Sequence, residues 1–305
     1  MFSEKSVTVR VPGTTANCGP GFDSLGIACS IYNELTMELT EDEFLEISVE
    51  GAGAEDISDG PDNIVWTSVK LFLERAGLKE RYRGARMHMV NQVPLSRGLG
   101  SSATAIVTGI YAANAFCGSP MSKHDMLQLA TEMEGHPDNV APALYGGFTI
   151  STMKDGRADT MSFMPKLDLK LIVAVPDFYL STSKARAVLP EKITRAEAIY
   201  NISRAAMLAA SLARGDREYL ASAIDDAIHQ PYRAQLIPGM YDVFEAARNA
   251  GAFGAALSGA GPCVIAFAEN GTEAIGMAMK EEFAKHNVKA EILQLAIDKQ
   301  GAYLL

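Results

Sequence analysis

Apolar and polar residues alternate over residues 7–11, the two-residue period of a strand with one buried face, and the run meets Pro12. Residues 62–77, DNIVWTSVKLFLERAG, instead place apolar side chains three and four apart and close on Gly77, which predicts an amphipathic helix. A second strand is predicted over 86–93, leading into Pro94. A helix rich in Ala, Ile and Val follows over 101–116, and another over 122–134 with Ser122 as its N-cap. Strands are predicted at 146–153 and 169–175, with a polar stretch at 155–159 between them. That stretch reads either as a hairpin loop or as a domain boundary; a boundary would divide the chain into 1–160 and 161–305. Beyond it come helices over 194–214, 216–229 and 240–249, then strands over 253–257, 263–268 and 288–296, with a helix over 272–286. Strands and helices in so irregular an order predict α+β packing, not a doubly wound sheet.

Composition fits two such domains sharing a cleft. The chain has 305 residues, 48% of them hydrophobic, enough for a sizeable core without disulfides or metals. No apolar run approaches the ~20 residues that span a bilayer, and the first ten residues lack the apolar stretch of a secretory leader. Cys18, Cys29, Cys117 and Cys263 lie far apart with no C-x-x-C spacing, which argues against a zinc site and against an extracellular disulfide framework. The expected setting is the reducing cytoplasm, away from membranes. A net charge of −10 without any Lys/Arg block excludes nucleic acid as a partner class.

Candidate chemistry begins at residues 94–103, PLSRGLGSSA, which leave a strand and open a helix. Gly98 and Gly100 permit positive φ and leave no Cβ in the way of an approaching phosphate. The first helical turn then offers free N–H groups and its positive dipole end to an anion. The hydroxyls of Ser101 and Ser102 are placed to reach a phosphate-bound Mg²⁺. The P-loop pattern G-x-x-x-x-G-K-S/T occurs nowhere in the chain. A dinucleotide-binding reading needs an acidic residue at the end of a second strand about 20 residues on, where another helix is predicted. A tight strand-to-helix turn that needs glycine only for packing explains an isolated segment of this kind equally well.

Three further segments break that tie: PGTTANCGPGFDSLGIA at 12–28, EGHPDNVAPALYGG at 134–147 and LSGAGPCVIA at 257–266. Together with the glycine-rich loop they resemble, in order, the motifs of the GHMP family of small-molecule kinases. Within that family, the first and the HPDN-containing motifs are most similar to members acting on L-homoserine. The resemblance implies a two-domain α+β fold, with a ribosomal-protein-like N-terminal domain and a ferredoxin-like C-terminal domain. It implies an active site in the cleft between them, ATP and Mg²⁺ as cofactors, and a homodimer as the assembly.

The same resemblance implies roles for particular residues. Pro94, Leu95, Ser96, Arg97, Gly98, Leu99, Gly100, Ser101, Ser102 and Ala103 would form the ATP loop, with Asn63 near the base. Glu134 and Ser102 would hold the metal, although only Gly135 separates Glu134 from His136, where some relatives carry a longer insert. His136, Asp138 and Asn139 are the catalytic candidates, and His136 and Asn139 also line the acceptor pocket. Arg186 and Arg233 would grip the acceptor carboxylate, a task that suits the planar fork of arginine. Asp23 would balance the ammonium, with Asn17 and Thr182 beside it. Ser258, Gly259 and Gly261 would shape the cleft from the second domain. Taken singly, these residues have plainer readings: Asn63 as a helix cap, Asp138 as a turn residue, Glu134 as a solvated helix end. No residue stands out as a dedicated general base. Two other functions remain open: a family member with a mevalonate-type or shikimate-type acceptor, and a non-catalytic ligand sensor on the same fold.

Overall fold

The computed structural model describes residues 5–305, so the leader reading of the first ten residues lies partly outside it. The first sheet contains β1 (Val7–Ala16), β2 (Leu25–Thr40), β3 (Leu45–Gly51), β4 (Gly84–Asn91), β5 (Phe148–Lys154) and β6 (Arg157–Phe163). Four helices accompany it: α1 (Ile64–Arg75), α2 (Ser101–Phe116), α3 (Lys123–Glu134) and α4 (Pro137–Tyr145). The order is β1-β2-β4-β3, with β3 parallel to β4 and the other neighbours antiparallel, while β5 and β6 extend from the start of β2. Val9, Val11, Leu35 and Met37 of the sheet bury against Val65, Val69 and Phe72 of α1 and Ile106 and Ile110 of α2.

The second part begins with β7 (Lys170–Pro176), α5 (Thr182–Ala187), α6 (Arg195–Arg214), α7 (Leu220–Ala223), α8 (Gln230–Arg233) and α9 (Met240–Asn249). It continues through β8 (Gly254–Leu257), β9 (Val264–Ala268), α10 (Thr272–Lys285) and β10 (Ala290–Ala296). Its four strands pair antiparallel in the order β10-β7-β9-β8, the ferredoxin-like arrangement. One face of this sheet packs on α9 and α10 through Phe244, Met279 and Phe283. The other face, with Leu171, Val173 and Ile265, meets Leu208 and Leu212 of α6 and also Leu25, Ile27 and Phe148 of the first sheet. One apolar cluster therefore spans both sheets, and it fixes the cleft that lies beside it.

Several boundaries differ from the sequence reading. β1 continues through Pro12 to Ala16, because a register shift between Pro12 and Gly13 lets the ladder with β2 accommodate the proline. A domain boundary at 160 would cut β6; the chain leaves the first sheet after Phe163, and β11 (Tyr303–Leu304) returns to pair with β1. Residues 216–229 are not one helix. The Asp226 carboxylate accepts from the backbone N–H groups of Ile228, His229 and Gln230, a local turn that competes with helix and starts α8 afresh. Among the described residues, no helix is long and apolar enough to cross a membrane.

Candidate active site

Four segments converge on one cleft: the β1–β2 connection, the loop before α2, the α3–α4 junction and the α5/α8 region of the second part. They bring together Asn17, Asp23, Ser96, Gly98, Gly100, Ser101, Ser102, Glu134, His136, Asp138, Asn139, Thr182, Arg186 and Arg233. Gly259 and Gly261, from the second part of the chain, complete the lining beside Asn17 and Arg233.

The glycine-rich loop takes its shape from close packing. Gly98 (φ 86°) and Gly100 (φ 67°) occupy the left-handed region. A Cβ on Gly98 would lie 2.2 Å from the Ser258 carbonyl oxygen, and one on Gly100 only 1.9 Å from Thr14 Oγ1. Gly100 is the N-cap residue of α2, and no side chain caps that helix. The first N–H groups of α2 therefore face the cleft with the positive end of the dipole and with Ser101 and Ser102 around them. Within the loop the residues part company. Leu99 and Ala103 are wholly buried in the two cores, whereas Pro94, Leu95 and Arg97 turn to a neighbouring cavity of about 630 Å³. There the Arg97 guanidinium lies over the Tyr179 ring at 4.6 Å.

Asn63 is outside the cleft lining. Its Oδ1 accepts from the N–H groups of Val65 and Trp66, and its Nδ2 donates to the Ser58 carbonyl, so its polar atoms serve the start of α1. The plain cap reading accounts for these contacts.

Glu134 ends α3 and faces the start of α2, where Ser102 Oγ donates to its Oε2 at 2.8 Å. Burial raises the Glu134 pKa against the opposing effects of that hydrogen bond and of His136. A hydroxyl and a carboxylate with little compensating charge form a hard-oxygen pair, and that pair fits Mg²⁺. His136 is the N-cap residue of α4, with Pro137 at its first position, so the expected turn is in fact a helix start. His136 Nδ1 lies 2.5 Å from the buried Asp138 carboxylate. Burial lowers the His136 pKa, but the hydrogen bond to Asp138 and the charges of Asp138, Asp23 and Glu134 outweigh it and the net shift is upward. Asn139 Oδ1 accepts from Thr14 Oγ1 at 2.8 Å, which ties the helix start to β1.

Beside this group, with Asp23, His136 and Asp138 holding polar atoms within 4.8 Å of one another, Arg186 donates through both Nη atoms to the two carboxylate oxygens of Asp23, at 3.1 and 2.8 Å. This hydrogen bond is the main cause of the raised Arg186 pKa. The groups expected to meet the ammonium and the carboxylate of an acceptor thus meet each other here. Asn17 lines the cleft, yet its Nδ2 donates to Gly259 O and its Oδ1 accepts from Asp23 N–H, so it braces two walls. Thr182 opens α5, just after its N-cap residue Ser181. The sequence reading passed over Phe22, whose ring lies under the guanidiniums of both Arg186 and Arg233, at 5.6 and 5.4 Å. It also passed over the buried His229 behind them. The only signal for Phe22 was an aromatic next to Asp23 inside the first motif.

The chain matches the family described as GHMP kinases N terminal domain over residues 63–147 and the one described as GHMP kinases C terminal over 208–285. It is 46% identical to homoserine kinase of Carboxydothermus hydrogenoformans, over 97% of this chain and 96% of that protein. Homoserine kinase of Moorella thermoacetica is 42% identical, with 97% and 99% covered. The crystal structure of homoserine kinase from Cytophaga hutchinsonii superposes with a TM-score of 0.90 at 31% identity, covering 100% of this chain and 99% of that one. With both halves matched and relatives aligned almost end to end, this chain belongs to the GHMP kinase family.

Proposed function

We propose that the chain transfers the γ-phosphoryl group of ATP to the side-chain hydroxyl of L-homoserine, giving O-phospho-L-homoserine, the acceptor chemistry of threonine biosynthesis. One observation carries this reading. A single cleft sets an uncapped helix N-terminus with the Ser102–Glu134 pair against two arginines and a carboxylate suited to a zwitterion. Mevalonate and shikimate carry a carboxylate but no ammonium, and would leave Asp23 without a partner once Arg186 turned to the acid. The full-length relatives named above as homoserine kinases support the same acceptor.

In this reading the α2 N-terminus and the loop backbone hold the triphosphate, where developing charge needs neutralising more than covalent chemistry. Ser102 and Glu134 would hold Mg²⁺, which when bound adds positive charge at the phosphates. Arg233 and Arg186 take the acceptor carboxylate, and Asp23, released from Arg186, takes the ammonium. His136, fixed by Asp138, and Asn139, fixed by Thr14, face the acceptor hydroxyl and hold it in line. The raised His136 pKa favours its charged form, which can donate to an oxygen but cannot take up a proton. Alignment and charge neutralisation, without a dedicated base, therefore supply the rate enhancement. A cytoplasmic setting agrees with four cysteines that are all free.

The reading is tested by following ADP release with single acceptors. Release that depends on L-homoserine is expected; release at the same rate with no acceptor would refute it.

A further inference from the structure

Arg233 is only 2% exposed, and burial, followed by the charge of Arg186, lowers its pKa to about 10. Its Nε donates to the Ala185 carbonyl and its Nη1 to the Gly259 carbonyl, both at 3.1 Å. No carboxylate among the described residues forms an ion pair with it, and Nη2 is the edge without a protein hydrogen bond. A buried cation in this state suits an incoming anion, provided that its fork is held at the right angle.

His229 lies directly behind the fork and is wholly buried. Its ring stacks on Phe22 with centroids 5.3 Å apart, on the same aromatic that supports both guanidiniums. Nε2 faces only acceptors, the Gly19 carbonyl at 2.8 Å and the Asp226 carboxylate at 3.6 Å, so the ring proton sits on Nε2. Nδ1 is left with a lone pair, 3.3 Å from Arg233 Nη1. Asp226 caps the turn below, and Asn201 of α6 donates both to Asp226 and to the Pro20 carbonyl, which ties this turn to the β1–β2 connection. Burial lowers the His229 pKa, in agreement with a neutral ring. A charged ring would set an N–H against the guanidinium.

We infer that His229 is a positioning residue of the acceptor site. Its Nδ1 lone pair, on a ring anchored to Gly19 and stacked on Phe22, sets the angle at which Arg233 offers its free edge to the acceptor's anionic group. This rests on the reading that the acceptor is L-homoserine, whose carboxylate is that group. It also explains why a wholly buried histidine outside the cleft lining stands directly behind the fork.

Two variants separate the two ring nitrogens. His229→Gln keeps a donor that reaches Gly19 but has no acceptor at Nδ1, whereas His229→Asn puts an amide near Nδ1 and gives up Gly19. For each, kcat and KM are measured for L-homoserine, for its carboxyl-reduced amino diol and for ATP. His229→Gln is expected to raise KM for homoserine about tenfold, the loss typical of one hydrogen bond to a charged group. kcat and KM for ATP should stay within about twofold, the preference for homoserine over the amino diol should fall by the same tenfold, and His229→Asn should recover part of it. An unchanged preference in both variants, or a loss spread equally over kcat and ATP binding, would overturn the assignment. If the variants do not fold, nitrogen NMR of labelled histidine in the wild-type protein decides. An Nε2–H tautomer whose Nδ1 resonance shifts on homoserine binding is expected, and an Nδ1–H or charged ring at neutral pH would overturn it. Failure of the acceptor reading would show separately, as absence of homoserine-dependent ADP release by the wild type.

Discussion

Glu134, the proposed metal ligand, sits where its charge works against the fold that carries it. Its raised pKa means that the folded chain favours the protonated acid, so stability present below the ordinary carboxylate pKa is lost as pH rises through the raised value. Glu134→Gln keeps an acceptor for Ser102 and removes the half-buried charge. We expect a higher melting temperature for the variant at pH 7 without ligands and no such gain near pH 4, together with a kcat lowered roughly a hundredfold, the scale of one lost electrostatic contact. Normal turnover at ordinary Mg²⁺ levels would exclude Glu134 as a ligand. Arg186→Lys keeps the charge but not the two-pronged bond, so KM for homoserine should rise about tenfold with KM for ATP unchanged; equal changes in both would remove Arg186 from the acceptor site. At this scale the sequence was a good guide to which residues gather in the cleft. Phe22 and His229 escaped because their roles depend on stacking between segments far apart in the chain, which no local motif displays.

At the scale of elements, long periodic segments were legible and interrupted ones were not. The helix at 62–77 and the capped helix at 122–134 match α1 and α3, and the latter carries a full capping box of Ser122 with Asp125. β2 was missed because its first half is buried on both sides and does not alternate, although Leu35, Met37 and Leu39 further along keep the period of two. α4 was hidden by its opening proline, which is at home in a first helical turn but reads as a break. The loop before α2 was recognised, but the reason for its glycines was only half visible. Gly100 avoids Thr14 within the fold, a packing demand separate from the proposed approach of a phosphate. Gly100→Ala is therefore expected to lower stability by roughly 1–3 kcal/mol through its left-handed backbone alone, and further through the contact with Thr14. A loss of ATP binding in that variant would not separate packing from phosphate recognition. Ser102→Ala is the sharper probe: it leaves the loop backbone alone and removes one hydrogen bond to Glu134, so a slightly lower melting temperature and a kcat reduced about tenfold or more are expected; unchanged kcat would remove Ser102 from the phosphate and metal end.

Across the whole molecule, the α+β class followed from the irregular order of strands and helices and the two-part organisation from chain length and the family resemblance, while the way the parts join did not. The apolar cluster shared by both sheets and the return of β11 to β1 depend on contacts between the two ends of the chain. That continuity ties the glycine-rich loop, on the first part, to the side of the same cleft that carries Arg186 and Arg233 on the second. A zwitterion whose hydroxyl lies one methylene beyond that of serine spans this gap in the proposed reading. The most direct measurement of that claim is ADP release with ATP, Mg²⁺ and one acceptor at a time: L-homoserine, L-serine, L-threonine, mevalonate or shikimate. The account predicts kcat/KM for L-homoserine at least about a hundredfold above each of the others, from two charged contacts or a reach that none of them combines. Turnover of mevalonate or shikimate equal to or above that of homoserine would contradict it.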